Sequence, residues 1–246
     1  MKLLGKIAVV TGGAGSLGSA IARRFLAEGA GGVVISDLDP AAVDAAIDAL
    51  DDDRVEGVVG DVTDPASTDA MVDEAVERFG QLDVMVNNAG VLGRNGRVHN
   101  QPLDEWRRVL DVNLLGVVNG TMSALRVMRP RRRGAIVNTA SVAGMTVWTH
   151  ASPYGVSKAA VIQLTKSTAL EYADEGIRAN CVCPGSFPSG MLDQVPRQAI
   201  DPITARHPLG MGDVDTLAAA FAYLASDEAR WTTGAALVVD GGYSLP

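Results

Sequence analysis

The sequence predicts an α/β fold: a Rossmann-type, doubly wound parallel β-sheet of about seven strands, with helices on both faces. Two observations support this fold class. Short runs rich in β-branched residues alternate with longer helical patterns along nearly the whole chain, and the short runs are apolar almost throughout. Such strands suit a parallel sheet that helices cover on both sides, with right-handed crossovers.

The elements follow in chain order from these two patterns. Strands are predicted at 7–11, 33–37, 55–61, 84–87, 135–139, 178–182 and 236–240. Helices are predicted at 16–28, 40–50, 65–79, 103–129, 153–174 and 214–226. In the first helix, Leu17, Ile21 and Phe25 recur at steps of four, which gives one apolar stripe that would face the sheet.

No internal repeat, low-complexity segment or linker divides the chain, so we expect residues 1–246 to form a single domain. The segment at about 186–213 has the weakest pattern and contains Pro188, Pro196, Pro202 and Pro208. It is interpreted as a long loop with two short helices. Because loops of this length in compact domains are usually functional, we expect it to form a lid over a substrate site.

Composition excludes several kinds of partner. The net charge is −8 and the pI is near 4.8, and so acidic a surface repels phosphate backbones, so we expect no nucleic-acid partner. No apolar run approaches the roughly 20 residues that span a bilayer. The first six residues are too short and too quickly interrupted for a signal peptide. We therefore expect no membrane association and a cytoplasmic location.

The chain has two cysteines, Cys181 and Cys183, inside an apolar run. Two thiols alone make no plausible metal site, so we interpret them as small buried apolar residues and predict no metal.

A glycine-rich turn, Thr11-Gly12-Gly13-Ala14-Gly15-Ser16-Leu17-Gly18, joins the first predicted strand to the first helix. Glycines allow a tight turn and close approach of a pyrophosphate, whose charge a helix N-terminus attracts. Glycine-rich turns are common, but the position between first strand and first helix favours dinucleotide binding.

Asp37 ends the second predicted strand, nineteen residues after Gly18. A carboxylate there can accept hydrogen bonds from both adenosine-ribose hydroxyls and would repel a 2′-phosphate. The glycine-rich turn contains no Lys or Arg that would attract that phosphate. The sequence therefore predicts NAD(H) rather than NADP(H) as the cofactor.

Tyr154 and Lys158 lie four residues apart on a predicted helix, hence on one face. A neighbouring ammonium favours the phenolate form of a tyrosine, so this pair could exchange a proton with an alcohol oxygen. Ser141 follows a strand, at the sheet edge where open α/β folds bind ligands. Asn113 interrupts an apolar helical series, and a buried Asn there would bend the helix, satisfy the core or order water near a site.

Taken together, these residues resemble the short-chain dehydrogenase/reductase family, in its compact single-domain branch, over essentially all 246 residues. Further matches are Asn87-Asn88-Ala89-Gly90 after the fourth strand, Pro184-Gly185, and the ending Thr233-Gly234 through Val239-Asp240-Gly241-Gly242. Ser141 and Tyr154 have the usual spacing of thirteen residues. One departure is Ser16, where the family usually has glycine, and we expect it to alter contacts with the cofactor rather than abolish binding.

The resemblance implies a set of site residues. Asn113, Ser141, Tyr154 and Lys158 fall where the family has its catalytic tetrad. The cofactor contacts it implies are Gly12, Gly15, Ser16, Leu17, Gly18, Asp37, Leu38, Asp61, Val62, Asn88, Ala89, Gly90, Tyr154, Lys158, Pro184, Gly185, Phe187 and Ser189.

The resemblance also implies a mechanism, in which hydride passes between the nicotinamide and a carbinol carbon. Tyr154 would act as general base in oxidation and general acid in reduction. Ser141 would hydrogen-bond the substrate oxygen, Lys158 would lower the pKa of Tyr154 and hold the nicotinamide ribose, and Asn113 would position a water that relays protons. The expected reaction is the NAD(H)-dependent interconversion of a secondary alcohol and its ketone.

Two alternatives remain open. One is a reductase of the same family that uses NADPH on acyl-carrier-linked 3-oxo groups, which Asp37 disfavours. The other is a dinucleotide-sensing protein without catalysis, which the complete tetrad disfavours. The few charges in the lid hint at a modest, largely apolar small-molecule alcohol or ketone as substrate. Membership of the family would imply a homotetramer whose interfaces are the helices near 103–129 and 153–174 and the C-terminal strand.

Overall fold

The computed structural model describes residues 1–195 and 197–245. Seven strands form one sheet: β1 (Ile7–Thr11), β2 (Gly32–Asp37), β3 (Val55–Val59), β4 (Val84–Asn87), β5 (Gly134–Thr139), β6 (Ile177–Pro184) and β7 (Ala236–Val239). Their order is β3-β2-β1-β4-β5-β6-β7, and each neighbouring pair is parallel. The predicted doubly wound parallel sheet of seven strands is confirmed.

Eight α-helices accompany the sheet within the described residues: α1 (Ser16–Ala27), α2 (Pro40–Leu50), α3 (Pro65–Phe79), α4 (Leu103–Leu110), α5 (Gly116–Arg131), α6 (Ser152–Tyr172), α7 (Arg197–Ala205) and α8 (Val214–Ala225). The starts of α2 and α3 have the same cause. In each, an Asp side chain caps the helix by accepting a hydrogen bond from a backbone N–H, and a Pro follows at the first helical position.

The helices form a layer on each face of the sheet. On one face, Phe25 of α1 and Phe221 of α8 are fully buried in a cluster with residues of β1, β2 and β4. On the other face, Met71 of α3 and Met128 of α5 pack with the alternate residues of the same strands. Because side chains alternate between the two faces of a strand, burial on both faces explains why the strands are apolar throughout.

The predicted single helix at 103–129 is wrong in one respect, since a π-helical turn at Asp111–Leu115 separates α4 from α5. The predicted lid at 186–213 contains two short helices, a 3₁₀ turn at Leu192–Gln194 and α7. Pro196, one of the four prolines of that lid, lies outside the described residues, as does Pro246.

None of the helices within 1–195 and 197–245 is both long and apolar enough to cross a membrane. Likewise, no group of three or more His, Cys, Asp or Glu side chains suited to a metal ion occurs in the described part of the chain. Cys181 and Cys183 are free thiols that are fully buried in β6, as the sequence predicts.

Candidate active site

A cleft of about 460 Å³ opens at the carboxyl edge of the sheet. It lies where the strand order reverses, because the chain leaves β1 towards β2 on one side and returns with β4 on the other. In open α/β sheets, ligands bind in such a crevice. Of the residues that the sequence singles out for cofactor binding and catalysis, all except Asn113 line this cleft.

The glycines of the turn after β1 are required for close packing. Gly12 has φ +63°, and a Cβ there would lie 2.9 Å from the Cα of Ala89. A Cβ at Gly18 would lie only 2.1 Å from the carbonyl oxygen of Gly12. Ser16, in contrast, is exposed at the first position of α1, so its side chain takes no space that the fold needs. The structure thus explains how the serine is tolerated.

The N-terminus of α1 faces this turn without a side-chain cap. Gly15 occupies the capping position, and the first turn of the helix contains no acidic residue. The first backbone N–H groups of a helix lack partners within it and carry partial positive charge. This end of α1 can therefore receive an anion such as a pyrophosphate.

Asp37 stands at the end of β2 beside the glycine-rich turn. Its Oδ2 accepts a hydrogen bond from the backbone N–H of Ala14 at 3.2 Å, and its Oδ1 accepts one from Leu38 at 2.9 Å. These two bonds hold the carboxylate at the edge of the cleft. Among the described residues that line the cleft, Asp37, Asp61 and Lys158 are the charged ones.

Asn88 ties three strand ends together beneath the cleft. Its Nδ2 donates to the carbonyl oxygens of Thr11 and Gly12, at 3.0 and 3.2 Å, and its Oδ1 accepts from the hydroxyl of Thr139 at 3.1 Å. The backbone N–H groups of Asn88 and Ala89 in turn donate to the hydroxyl of Thr11. Asn88 thus fixes the loop after β1 against the ends of β4 and β5.

Tyr154 and Lys158 lie one turn apart on α6, with the ammonium nitrogen 5.7 Å from the centre of the phenol ring. Both side chains are buried, at 6% and 2% exposure. Burial lowers the pKa of Lys158 to about 8, and it raises the pKa of the Tyr154 phenol above its ordinary value. The Lys158 Nζ donates a 2.7 Å hydrogen bond to the carbonyl oxygen of Thr139, which orients it.

Ser141 follows β5 and lines the same cleft as Tyr154. Its hydroxyl oxygen accepts a 3.1 Å hydrogen bond from the backbone N–H of Ala143. Interaction with the Ser141 hydroxyl lowers the pKa of the Tyr154 phenol and partly opposes the effect of burial. A hydroxyl and a phenol are therefore adjacent, with a buried ammonium behind the phenol.

Asn113 lies fully buried in the π-helical turn and does not line the cleft. Its Oδ1 accepts a 2.8 Å bond from the backbone N–H of Val91, and its Nδ2 donates to the Val91 carbonyl at 2.9 Å and to the Ser157 hydroxyl at 3.1 Å. A Cβ at Gly90 would lie 3.3 Å from Asn113 Oδ1 and 3.4 Å from Lys158 Nζ. Asn113 thus braces the loop after β4 close to Lys158.

We name residues 184–189 the nicotinamide segment, because the family resemblance implies that Pro184-Gly185 belongs to the segment that holds the nicotinamide carboxamide. This segment and lid residues after it line the cleft. Four residues of this segment line the cleft, and the resemblance implies that these same residues contact the cofactor: Pro184, Gly185, Phe187 and Ser189. Further along the lid, Met191, Leu192 and Val195 add an apolar surface. The predicted lid therefore borders the cleft.

Trp148 also lines the cleft, and its indole ring stacks on the ring of Tyr154 with centroids 6.0 Å apart. Its position on the loop between β5 and α6 makes Trp148 a candidate from sequence for lining an apolar pocket, whereas no local pattern indicates a role for His207, which is treated below. His150, four residues before Tyr154, is exposed with φ +68° and is absent from the cleft lining.

The residues of the cleft fit a nicotinamide dinucleotide. An uncapped helix N-terminus, a carboxylate at the end of β2, and the side chains of Tyr154 and Lys158 all border this one cleft. At Gly12 and Gly18 of the glycine-rich turn, a Cβ would come within 3 Å of backbone atoms, so the backbone itself requires glycine there.

Comparison with known proteins identifies close relatives over the full length. A family model described as Enoyl-(Acyl carrier protein) reductase matches residues 12–244. Cis-4-hydroxycyclohexanecarboxylate dehydrogenase of Sinomonas cyclohexanicum is 41% identical over 242 residues, which cover 97% of this chain and 96% of the relative. A 3-alpha-(or 20-beta)-hydroxysteroid dehydrogenase of Mycobacterium bovis is 40% identical over 243 residues, or 98% of this chain and 90% of the relative.

A solved structure, that of NAD⁺-bound xylitol dehydrogenase, superimposes with a TM-score of 0.94 at 31% sequence identity. The match covers 98% of this chain and 100% of that chain. These relatives carry out dehydrogenation of hydroxy compounds, as their names state.

Proposed function

The chain belongs to the short-chain dehydrogenase/reductase family, and from that membership we propose that it is an NAD(H)-dependent dehydrogenase for a secondary alcohol. Oxidoreduction between an alcohol and a ketone is what its relatives have in common. The single observation that carries the proposal is the adjacency of Ser141, Tyr154 and Lys158 in the cleft.

NAD(H) accepts or supplies the hydride when it is bound. Side chains of the protein transfer the proton. In oxidation the Tyr154 oxygen removes the proton of the substrate hydroxyl, and in reduction it returns a proton to the carbonyl oxygen. The Ser141 hydroxyl donates a hydrogen bond to the same substrate oxygen and stabilises the charge that develops there.

Lys158 stabilises the phenolate form of Tyr154 through its charge. With a pKa of about 8, the ammonium stays largely protonated at neutral pH. Coulomb attraction between an ammonium and a phenolate is strong in a site from which water is excluded. Asn113 holds the loop after β4 beside Lys158, and we propose that it orders a water molecule through which Lys158 exchanges protons with solvent.

Preference for NAD(H) is proposed from Asp37. Its carboxylate is held at the cleft by the N–H groups of Ala14 and Leu38, so a 2′-phosphate would meet a fixed negative charge. No Lys or Arg in the turn between Thr11 and Gly18 compensates for it.

The substrate is proposed to be a neutral, largely apolar alcohol of modest size. The lid contributes Met191, Leu192 and Val195 to the cleft lining, and other parts of the chain contribute Leu92 and Trp148. Burying an ionised substrate group against such surfaces would carry an uncompensated desolvation cost.

The decisive experiment measures NADH formation from NAD⁺ with a panel of cyclic, aliphatic, steroid and sugar alcohols, with NADP⁺ in parallel. We expect turnover of at least one apolar cyclic or aliphatic alcohol, with NAD⁺ preferred. Tyr154→Phe should bind NADH normally and lose turnover, because the ring packing stays and the transferable proton is absent.

Three results would contradict parts of this proposal. Near-normal rates in Tyr154→Phe would remove Tyr154 as the acid/base. Equal efficiency with NADPH would remove the role of Asp37, and Asp37→Ala, which should admit NADP⁺, tests that role directly. If the protein binds NADH but turns over none of the alcohols in the panel, a dinucleotide sensor would be favoured.

A further inference from the structure

His207, for which the sequence offers no role, lies in the lid just after α7 and is buried against the nicotinamide segment. Only 4% of its surface is exposed. Its Nε2 accepts a 3.0 Å hydrogen bond from the backbone N–H of Ser186, and its Nδ1 lies 2.8 Å from the carbonyl oxygen of Ile203 in α7. Because a carbonyl can only accept, Nδ1 carries the hydrogen and Nε2 has the free lone pair. The two bonds thus specify one neutral tautomer.

The imidazole is also held in place by its neighbours. Tyr243 packs against it with ring centroids 4.7 Å apart, and a Cβ at Gly185 would come within 2.9 Å of Nε2. Tyr243 in turn meets Trp148 edge-on at 6.2 Å, and Trp148 stacks on Tyr154. A continuous aromatic contact therefore connects His207 to the catalytic tyrosine.

Both backbone polar groups of Ser186 are bonded to the far end of the lid. Its N–H donates to His207, and its carbonyl oxygen accepts a 3.0 Å bond from the N–H of Gly212. Ser186 stands between Gly185 and Phe187, two residues that line the cleft. The position of the nicotinamide segment is thus set by residues that follow α7 in the chain.

We propose that His207 is a positioning residue for the nicotinamide end of the cofactor, which it serves by accepting the Ser186 N–H while it donates to Ile203. The nicotinamide segment and the lid helix α7 then move as one unit, so the segment takes its binding position when the base of the lid is docked. The inference rests on the proposed function, since it concerns the site for the nicotinamide.

The test uses two variants that differ by one methylene. In His207→Asn the amide can still donate to Ile203 but is too short to accept from Ser186. In His207→Gln the side-chain oxygen reaches the position of Nε2 and can accept the Ser186 N–H. Calorimetry measures the affinity of each protein for NADH and for ADP-ribose, which lacks the nicotinamide. His99→Asn, a change at an exposed histidine, is the control.

We expect His207→Asn to weaken NADH binding about tenfold, the usual effect of leaving a buried N–H without its acceptor. ADP-ribose affinity should change less than about twofold, because the adenosine half contacts other residues. His207→Gln should have an NADH affinity within about threefold of that of the wild type. The control, His99→Asn, should bind NADH with the affinity of the wild type. The KM for the cofactor should follow the same order.

Two outcomes would overturn the inference alone: unchanged NADH affinity in His207→Asn, or equal losses for NADH and ADP-ribose, which would indicate a general structural role. If His207→Asn does not fold, His207→Phe, which keeps the ring beside Tyr243 but has no acceptor, takes its place in the comparison. Wild-type protein that binds neither NADH nor NADPH would overturn the proposed function, and the inference with it.

Discussion

At the scale of single residues, Lys158 combines a charge with almost complete burial. Its folded pKa of about 8 is below the roughly 10.4 of an unfolded chain. Between these two values the unfolded chain binds more protons at this position than the folded protein, so the contribution of Lys158 to stability rises with pH. Below about pH 8 the side chain is charged in the folded protein as well, and burial of this charged ammonium makes the folded protein less stable than it is at higher pH.

Replacing Lys158 by Met should therefore change stability in a pH-dependent way and abolish turnover. The wild type should gain about 2 kcal/mol of unfolding free energy relative to Lys158→Met between about pH 7 and about pH 9.5. Urea unfolding of both proteins at the two pH values measures the difference, and effects of surface groups cancel in the comparison. If the difference in unfolding free energy between the two proteins is the same at both pH values, the lowered pKa of Lys158 is contradicted.

Ser141 affects the proton affinity of Tyr154. Interaction with its hydroxyl lowers the pKa of a phenol that burial has raised. Without the hydroxyl the phenol should hold its proton to higher pH, so the alkaline rise in the rate of alcohol oxidation should move to higher pH in Ser141→Ala. Ser141→Thr keeps the hydroxyl and serves as the control in pH profiles of kcat/KM. A shift to lower pH would reverse the assigned role.

At the scale of elements, the π-helical turn at Asp111–Leu115 is where sequence and structure differ most. The extra residue in this turn is stabilised by the bonds of Asn113 to Val91 and Ser157, which are 22 and 44 residues away in the chain. The periodicity of apolar residues within a segment carries no information about partners so distant in the chain, so it predicts one unbroken helix. Single-turn π-bulges often occur at functional sites.

Asn113→Ala tests whether this turn supports catalysis. The variant leaves the Val91 N–H and carbonyl without their side-chain partner, so the loop beside Lys158 should loosen. We expect kcat to fall by more than about tenfold while NADH affinity changes little, as measured by steady-state kinetics and calorimetry. Asn113→Ser, which keeps a polar group at this position, is the comparison variant. A loss smaller than tenfold in Asn113→Ala would assign Asn113 to the fold alone.

The predictable elements share a local cause. The bounds of β1, β4, α2 and α3 agree with the predicted ones, because apolar runs and Asp-Pro caps fix them within a few residues of sequence. At the site, helical spacing places Tyr154 and Lys158 on one face of a helix, and the family resemblance, not the spacing, implies their catalytic role. His207 has no local signal, since its contacts with Ser186 and Tyr243 depend on how the lid and the C-terminal residues fold over the cleft.

At the scale of the whole molecule, several large apolar side chains remain exposed on the helices that follow β4 and β5. They are Leu115 in the π-helical turn, Met122 on α5, and Val156 and Leu170 on α6, with 49%, 64%, 51% and 84% exposure. Exposed apolar side chains concentrated on neighbouring helices favour an association surface there. We propose that these helices pair with those of other copies in a homotetramer.

Leu170→Asp should weaken that assembly, because it would bury an unpaired carboxylate between subunits. Light scattering coupled to gel filtration should show a smaller particle than the wild type at equal concentration. Leu4→Asp changes a leucine that is similarly exposed, at 76%, on the turn before β1 and should leave the assembly unchanged. A wild type that elutes as a monomer would remove the proposed tetramer.

The two buried thiols of β6 give the protein an internal reporter of its own opening. Cys181 and Cys183 are inaccessible in the closed sheet, so an alkylating reagent can reach them only when β6 separates from its neighbours. The same strand ends in Pro184 and continues into the segment that would hold the nicotinamide. A bound dinucleotide should make that separation rarer, so the rate of alkylation would report cofactor occupancy without any substrate being known.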